Sequence, residues 1–312
     1  MLGDVRAWAL TGHDPRKVIR VKPAPFEYHR PDTIEAAIKL LGDYGGEAKI
    51  ISGGQSLLPM LAFRLLAPAA LVDICRIPDL NTAKCSERGL TMGSKLRWVD
   101  IEKDLELRRS YPLLVAGVEH IAHYQIRNRG TIGGSLAHAD PAAEFPALVL
   151  IHEGQIQVQG TGGSRLISAA DFFHGMLTTD LSEDEIITGV HLPSWPETRF
   201  WSFKEFARRS GDFAISGVAV HFELKQGRID SPRVVAFGVD DRPVNLTPLQ
   251  SMLDGALPDL KTFAAVGAAA AKLDMIDPPS DIQASSEYRR ALLGVLVERA
   301  LADAFDKRGE VR

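Results

Sequence analysis

Cysteine is nearly absent from this chain: only Cys75 and Cys85 occur among 312 residues. Two thiols cannot ligate a four-cysteine iron–sulfur cluster or build a disulfide framework. Any redox chemistry would therefore need a borrowed organic group, and a reduced, cytoplasmic setting is the simplest expectation. Both thiols are expected to be buried or inert rather than catalytic. No apolar run is long enough to span a bilayer. The formal net charge of −4 argues against a nucleic-acid binder, which would normally show a concentrated basic face. Nine histidines are present, yet neither HxxxH nor HExxH occurs, so no metal site is expected. There is also no GxGxxG and no Gly-Lys-Ser/Thr, which excludes a Rossmann fingerprint and a P-loop.

What is there suits a soluble globular protein: 45% hydrophobic and 24% charged residues, in a chain long enough for two domains. Met1 to Arg20 carries charges and only the short apolar patch Ala7-Trp8-Ala9-Leu10. It is too interrupted for a signal peptide and is expected to be an extra leader, either disordered or packed on a partner. From Asp32, with Glu35 three positions on as a capping pair, Ile34, Ala37, Ile38 and Leu41 predict a helix ended by Gly45-Gly46. Strands are predicted at Ala48 to Ile51, Leu71 to Ile74, Leu90 to Ser94, Gln155 to Gln159 and Glu185 to Leu192. Helices are predicted between Val99 and Leu107 and between Pro112 and His123. Their alternation to about residue 150 indicates an α/β unit. The turn-rich stretch Leu192 to Thr198 marks a boundary. Beyond it come three strands (Phe200 to Phe206, Ala214 to Leu224, Arg233 to Val239), then helices at Thr262 to Leu273 and Glu287 to Asp306. That order indicates an α+β second domain.

Two glycine loops stand out. In Ile50-Ile51-Ser52-Gly53-Gly54-Gln55-Ser56-Leu57-Leu58-Pro59 a strand empties into two glycines before a helix. Glycine there admits positive φ and close backbone approach, and successive amides can form an anion nest. The second runs from Arg127 through Thr131-Ile132-Gly133-Gly134-Ser135 to Glu144, dense in small and hydroxyl residues. Thr131 and Ser135 could donate to a pyrophosphate, while Asp140 or Glu144 could accept from ribose hydroxyls or adenine. One dinucleotide would need both loops to meet in space.

These stretches, with Lys22 to Tyr28, Ile126 to Gly134, Ala137 to Glu144 and Arg209-Ser210-Gly211-Asp212-Phe213-Ala214, resemble the FAD-binding medium subunits of the xanthine dehydrogenase and carbon monoxide dehydrogenase family. The resemblance runs from Lys22 almost to the C-terminus. It implies an N-terminal extension (1–20) and a two-part FAD-binding domain of the vanillyl-alcohol oxidase (p-cresol methylhydroxylase, PCMH) type at 21–196. It implies a carbon monoxide dehydrogenase flavoprotein C-terminal-type domain at 198–306. The FAD, held noncovalently, would lie on Ile50, Ile51, Ser52, Gly53, Gly54, Gln55, Ser56 and Leu57 and on Thr131, Ile132, Gly133, Gly134 and Ser135. Asp140 is a further polar candidate. The family's carboxylate falls on Glu144, its apolar flavin neighbour on Ile187, and its ring-side lysine on Lys204. Covalent attachment at His138 is not expected. Ser135 stands where many relatives have Asn, and Gln283 to Arg290 departs from the family wording before the last helix. The implied partners are a large molybdenum-cofactor subunit and a small subunit with two [2Fe–2S] clusters. The implied function is electron transfer from those clusters to an external acceptor, with no catalytic acid or base on this chain. A self-sufficient FAD-dependent oxidoreductase is the alternative.

Overall fold

The computed structural model describes residues 22–309, so the expected leader lies outside the described residues. Three short strands, β1 (Glu27–His29), β2 (Ala48–Ile51) and β3 (Ala70–Asp73), form a parallel sheet with β3 in the middle. Between β1 and β2 lies helix α1 (Ile34–Asp43), which buries Ala37, Ile38 and Leu41, its helical-period apolar stripe. Its N-cap is Thr33, not Asp32: the Thr33 hydroxyl accepts from the Ala36 amide at 3.1 Å. Asp32 sits one residue too early to reach the first-turn amides. Helix α2 (Leu57–Ala62) links β2 to β3.

Strands β4 (Ala83–Ser86) and β5 (Gly89–Gly93) turn the chain into a second, antiparallel sheet. Helices α3 (Trp98–Lys103), α4 (Leu105–Ser110), α5 (Pro112–His120), α6 (Tyr124–Arg127), α7 (Ile132–His138) and α8 (Glu144–Ile151) follow. The single helix expected between Val99 and Leu107 is thus two, divided at Asp104, whose carboxylate caps the second through Glu106 and Leu107. Strands β6 (Gln155–Gly160) and β7 (Gly163–Ser168), a short helix α9 (Ala169–Phe172), the ribbon β8 (Phe173–Gly175) and β9 (Thr178–Thr179), and β10 (Ile186–Pro193) complete the domain. The larger sheet runs β4-β5-β10-β6-β7. The α/β alternation therefore yields a parallel sheet only over the first three strands. The hairpins at Glu87-Arg88 and Thr161-Gly162 are too tight to join parallel strands.

The second unit is an antiparallel sheet of β11 (Phe200–Phe206), β12 (Ser216–Lys225), β13 (Arg228–Phe237) and the short β14 (Val244–Asn245). Helices α10 (Thr247–Leu253), α11 (Leu260–Ala270) and α12 (Ser286–Gly309) follow it. Side chains alternate across a strand, and here both faces are covered. Val218, Val220 and Phe222 pack with Phe263 and Val297 on the helical side. Ala219, Val235, Phe237 and Phe203 join the core of the first domain. Two-sided burial explains why β12 reads as a nearly continuous apolar run.

Candidate functional site

The two glycine loops meet. The Thr131 hydroxyl donates to Ser52 Oγ at 3.2 Å and accepts from the Gly134 amide, capping α7. A Cβ on Gly53 would lie 2.2 Å from the Arg129 carbonyl oxygen, so only glycine lets the loops close. Gly54 takes φ +72°, the left-handed turn that reverses the chain into α2.

Polar groups divide unequally between the loops. The backbone amides of Gly53, Gly54, Gln55, Ser56 and Leu57 donate to no acceptor among the described residues. In the second loop the Ile132 and Gly133 amides are already committed, to the Leu96 and Ser94 carbonyls at 3.0 and 2.8 Å. Gly133 is buried, and a Cβ on it would strike Ser94 at 2.6 Å; Gly134 is exposed, with only the Thr131 hydroxyl nearby. Gly133 is thus the packing glycine, which knits the loop to Ser94, and Gly134 is the open one. Ser94 was not foreseen; only the register of β5 against the second loop shows it.

Other candidate residues lie around this junction. Ile50 and Ile51 are half-buried at the end of β2, and Ser135 is half-buried on α7. Asp140 accepts from the Ala142 amide at 2.9 Å, making the turn that starts α8. Pro141 then accepts from the Gly238 amide at 2.8 Å, joining this turn to the second domain. Glu144, the first residue of α8, is only 4% exposed. Burial and then the facing Glu205 carboxylate push its carboxyl up to about 8. Ile187 is buried in the first domain's core, beside a bulge in β10.

Lys204 is on the other side of its strand. Its Nζ pairs with Asp303 of α12 at 3.0 Å, and Ser202 on the same face donates to Asp303 at 2.5 Å. One residue along, the face reverses, and Glu205 meets His120 of α5 at 3.2 Å. Sequence reading missed Glu205 and His120; the alternation within β11 was the signal that could have found them. A cavity of about 630 Å³ between β11 and α12, lined by Lys204, Arg299, Asp303 and Lys307 among others, contains no glycine-loop residue. The thiols expected to be buried or inert are not buried: both cysteines are exposed, because β4 is an edge strand and Cys75 sits on the turn after β3. Their thiols are held up by desolvation, Cys75 also by its Asp73 contact, which disfavours the reactive thiolate. No cluster of three or more potential metal ligands occurs among the described residues.

The class of this mixed two-domain chain, whose two glycine loops meet, follows from comparison with known proteins. Residues 24–195 match the family described as FAD binding domain in molybdopterin dehydrogenase, and residues 201–304 match the CO dehydrogenase flavoprotein C-terminal domain. The chain belongs to the family of FAD-binding medium subunits of carbon monoxide dehydrogenase and xanthine dehydrogenase type. It is 38% identical to the nicotine 6-hydroxylase medium subunit of Paenarthrobacter nicotinovorans, over 91% of this chain and 99% of that one. It is 36% identical to the same organism's 6-hydroxypseudooxynicotine dehydrogenase complex subunit alpha, covering 92% and 97%. Among solved structures, carbon monoxide dehydrogenase from Hydrogenophaga pseudoflava superimposes with TM-score 0.88 at 32% identity, covering 91% and 98% of the two chains. Quinoline 2-oxidoreductase from Pseudomonas putida 86 gives 0.87 at 34% identity, covering 92% and 99%.

Proposed function

We propose that this chain holds one FAD noncovalently where its two glycine loops meet, as the cytoplasmic electron-transfer subunit of a molybdenum hydroxylase. The observation that carries this is the run of unused amides from Gly53 to Leu57 beside the open Gly134. Those amides fit a pyrophosphate, whose charge needs several donors held in place before it arrives. Ser56, Ser135 and the Thr131–Ser52 pair supply hydroxyls around them. Asp140 and Glu144, which follow α7 in the chain, and the apolar Ile187 of β10 are the further cofactor candidates.

Bound FAD would supply a carrier that takes electrons singly and delivers them singly or as a pair. The chain's own work is to orient it, exclude water and set the charge around it. Two [2Fe–2S] clusters on a small partner would feed it, a large partner would carry the molybdenum cofactor, and an external acceptor would drain it. A ring-side role for Lys204 is read from the reduction potential of FAD bound to Lys204→Ala. An unchanged potential leaves Lys204 to Asp303 alone.

The test is a visible spectrum of the purified chain incubated with FAD, followed by acid precipitation. Flavin bands with FAD released into the supernatant support the reading. Colour retained in the pellet means covalent attachment, and a colourless chain means that no flavin is held.

A further inference from the structure

The contacts that join the two glycine loops continue beyond Thr131 and Ser52. The Ser52 carbonyl accepts from the Cys75 thiol at 3.5 Å, and Cys75 sits on the short turn Ile74–Arg76 after β3. The Cys75 carbonyl in turn accepts from Lys95 Nζ at 2.8 Å, and the same ammonium donates to the Ile77 carbonyl. Lys95 follows Ser94 in the chain, and the Ser94 carbonyl takes the Gly133 amide at 2.8 Å. Gly133 lies two residues after Thr131, whose hydroxyl closes on Ser52 at 3.2 Å. Ser52, Cys75, Lys95, Ser94, Gly133 and Thr131 thus form a closed ring drawn from distant parts of the chain.

Lys95 is the charged member of that ring, half-buried just past the end of β5. Among the described residues it forms no ion pair. Asp73, two residues before Cys75, is already engaged by Arg30 at 3.4 Å, by the Tyr28 hydroxyl and by the Cys75 amide. The ammonium therefore spends its donors on two main-chain carbonyls, which fixes a turn instead of neutralising an acid. We propose that Lys95 is a positioning residue for the cofactor: by gripping the Cys75 turn from the segment that also carries Ser94, it holds the free amides of the first loop in place against the second. This rests on the flavin reading above. A diphosphate gains most from donors that are fixed before it arrives, and no contact between Lys95 and the cofactor is required.

A ring of constraints has a measurable property. Each link restrains the loops only while the others are closed, so opening a second link costs little once a first is open. Independent links would add instead. The experiment is a double-mutant cycle on the full-length apo chain: wild type, Lys95→Met, Thr131→Val and the double variant, each titrated with FAD and each unfolded in urea. Lys95→Met keeps an unbranched apolar stem and removes the donors. FAD affinity should fall about tenfold in Lys95→Met, and the double variant should bind within about twofold of the weaker single variant. Lys95→Arg, which can donate to both carbonyls, should bind FAD within a few-fold of wild type. Wild-type affinity in Lys95→Met, losses that multiply in the double variant, or a Lys95→Arg no better than Lys95→Met overturns the proposal. Should Lys95→Met not fold, the cycle is read with Lys95→Gln, whose shorter amide cannot bridge both carbonyls. Wild type that takes up no FAD sinks the flavin reading and with it the cofactor role. The urea cycle then decides the brace alone: less-than-additive losses uphold the ring, and additive losses refute it.

Discussion

Thr131 reaches across 79 positions of sequence to donate its hydroxyl to Ser52, and the same oxygen caps α7 through Gly134. Thr131→Val should therefore act twice. Loss of a capping hydroxyl costs about 0.5–2 kcal/mol, visible as a lower denaturation midpoint. Loosening of the loop junction should weaken FAD binding, and Thr131→Ser should restore both. Full FAD affinity in Thr131→Val would mean that the Ser52 contact is incidental.

Gly53→Ala puts a methyl 2.2 Å from the Arg129 carbonyl oxygen and must part the loops. FAD affinity should drop at least tenfold, read by quenching of flavin fluorescence. Gly42→Ala is the control: it lies in α1 with nothing within 4 Å of the added methyl. It should leave FAD binding alone and raise stability by up to about 1 kcal/mol through helix propensity.

His152 is enclosed beside Trp195, with ring centroids 4.8 Å apart, and His221 packs on that ring's other neighbourhood at 5.3 Å. Burial drives His152 down to about 4 and His221 well below its ordinary range. Both are neutral when folded, while the unfolded chain binds their protons below about 6.5. The folded state thus binds fewer protons in that window, and stability falls as pH drops from about 6.5 towards 4. His152 alone accounts for roughly 3 kcal/mol of that loss. Urea unfolding at pH 7 and pH 5 should show the loss, and His152→Phe should flatten it. An equally steep loss in His152→Phe would remove the histidine from the account.

Much of this arrangement was legible beforehand because it rests on local rules. Gly53-Gly54 after an apolar strand, the stripe of α1 and the strand at Phe200 to Phe206 are set by backbone freedom and side-chain periodicity, and they stand where their residues place them. What escaped depends on distant partners. Gly133 and Gly134 are indistinguishable in sequence, and only the neighbouring Ser94 makes one a packing residue and the other open. Likewise Lys204 and Glu205 differ by one step along β11, and α12 on one face and α5 on the other decide what each meets. The start of α8 at Glu144 was hidden because the Asp140-Pro141 turn reads as loop. The parallel pairing of β1 with β3 is a long-range contact that no local pattern records.

Gly134→Glu tests the central claim most directly. Its side chain would stand on the exposed first turn of α7, whose capping Thr131 contacts Ser52 of the first loop, bringing bulk and negative charge where a pyrophosphate is proposed to lie. The measurement is the flavin-to-protein ratio after FAD reconstitution, with circular dichroism to confirm the fold. The account predicts about one FAD per wild-type chain and essentially none on a folded Gly134→Glu chain. A folded variant that loads FAD like wild type would contradict the placement of the cofactor between the two loops.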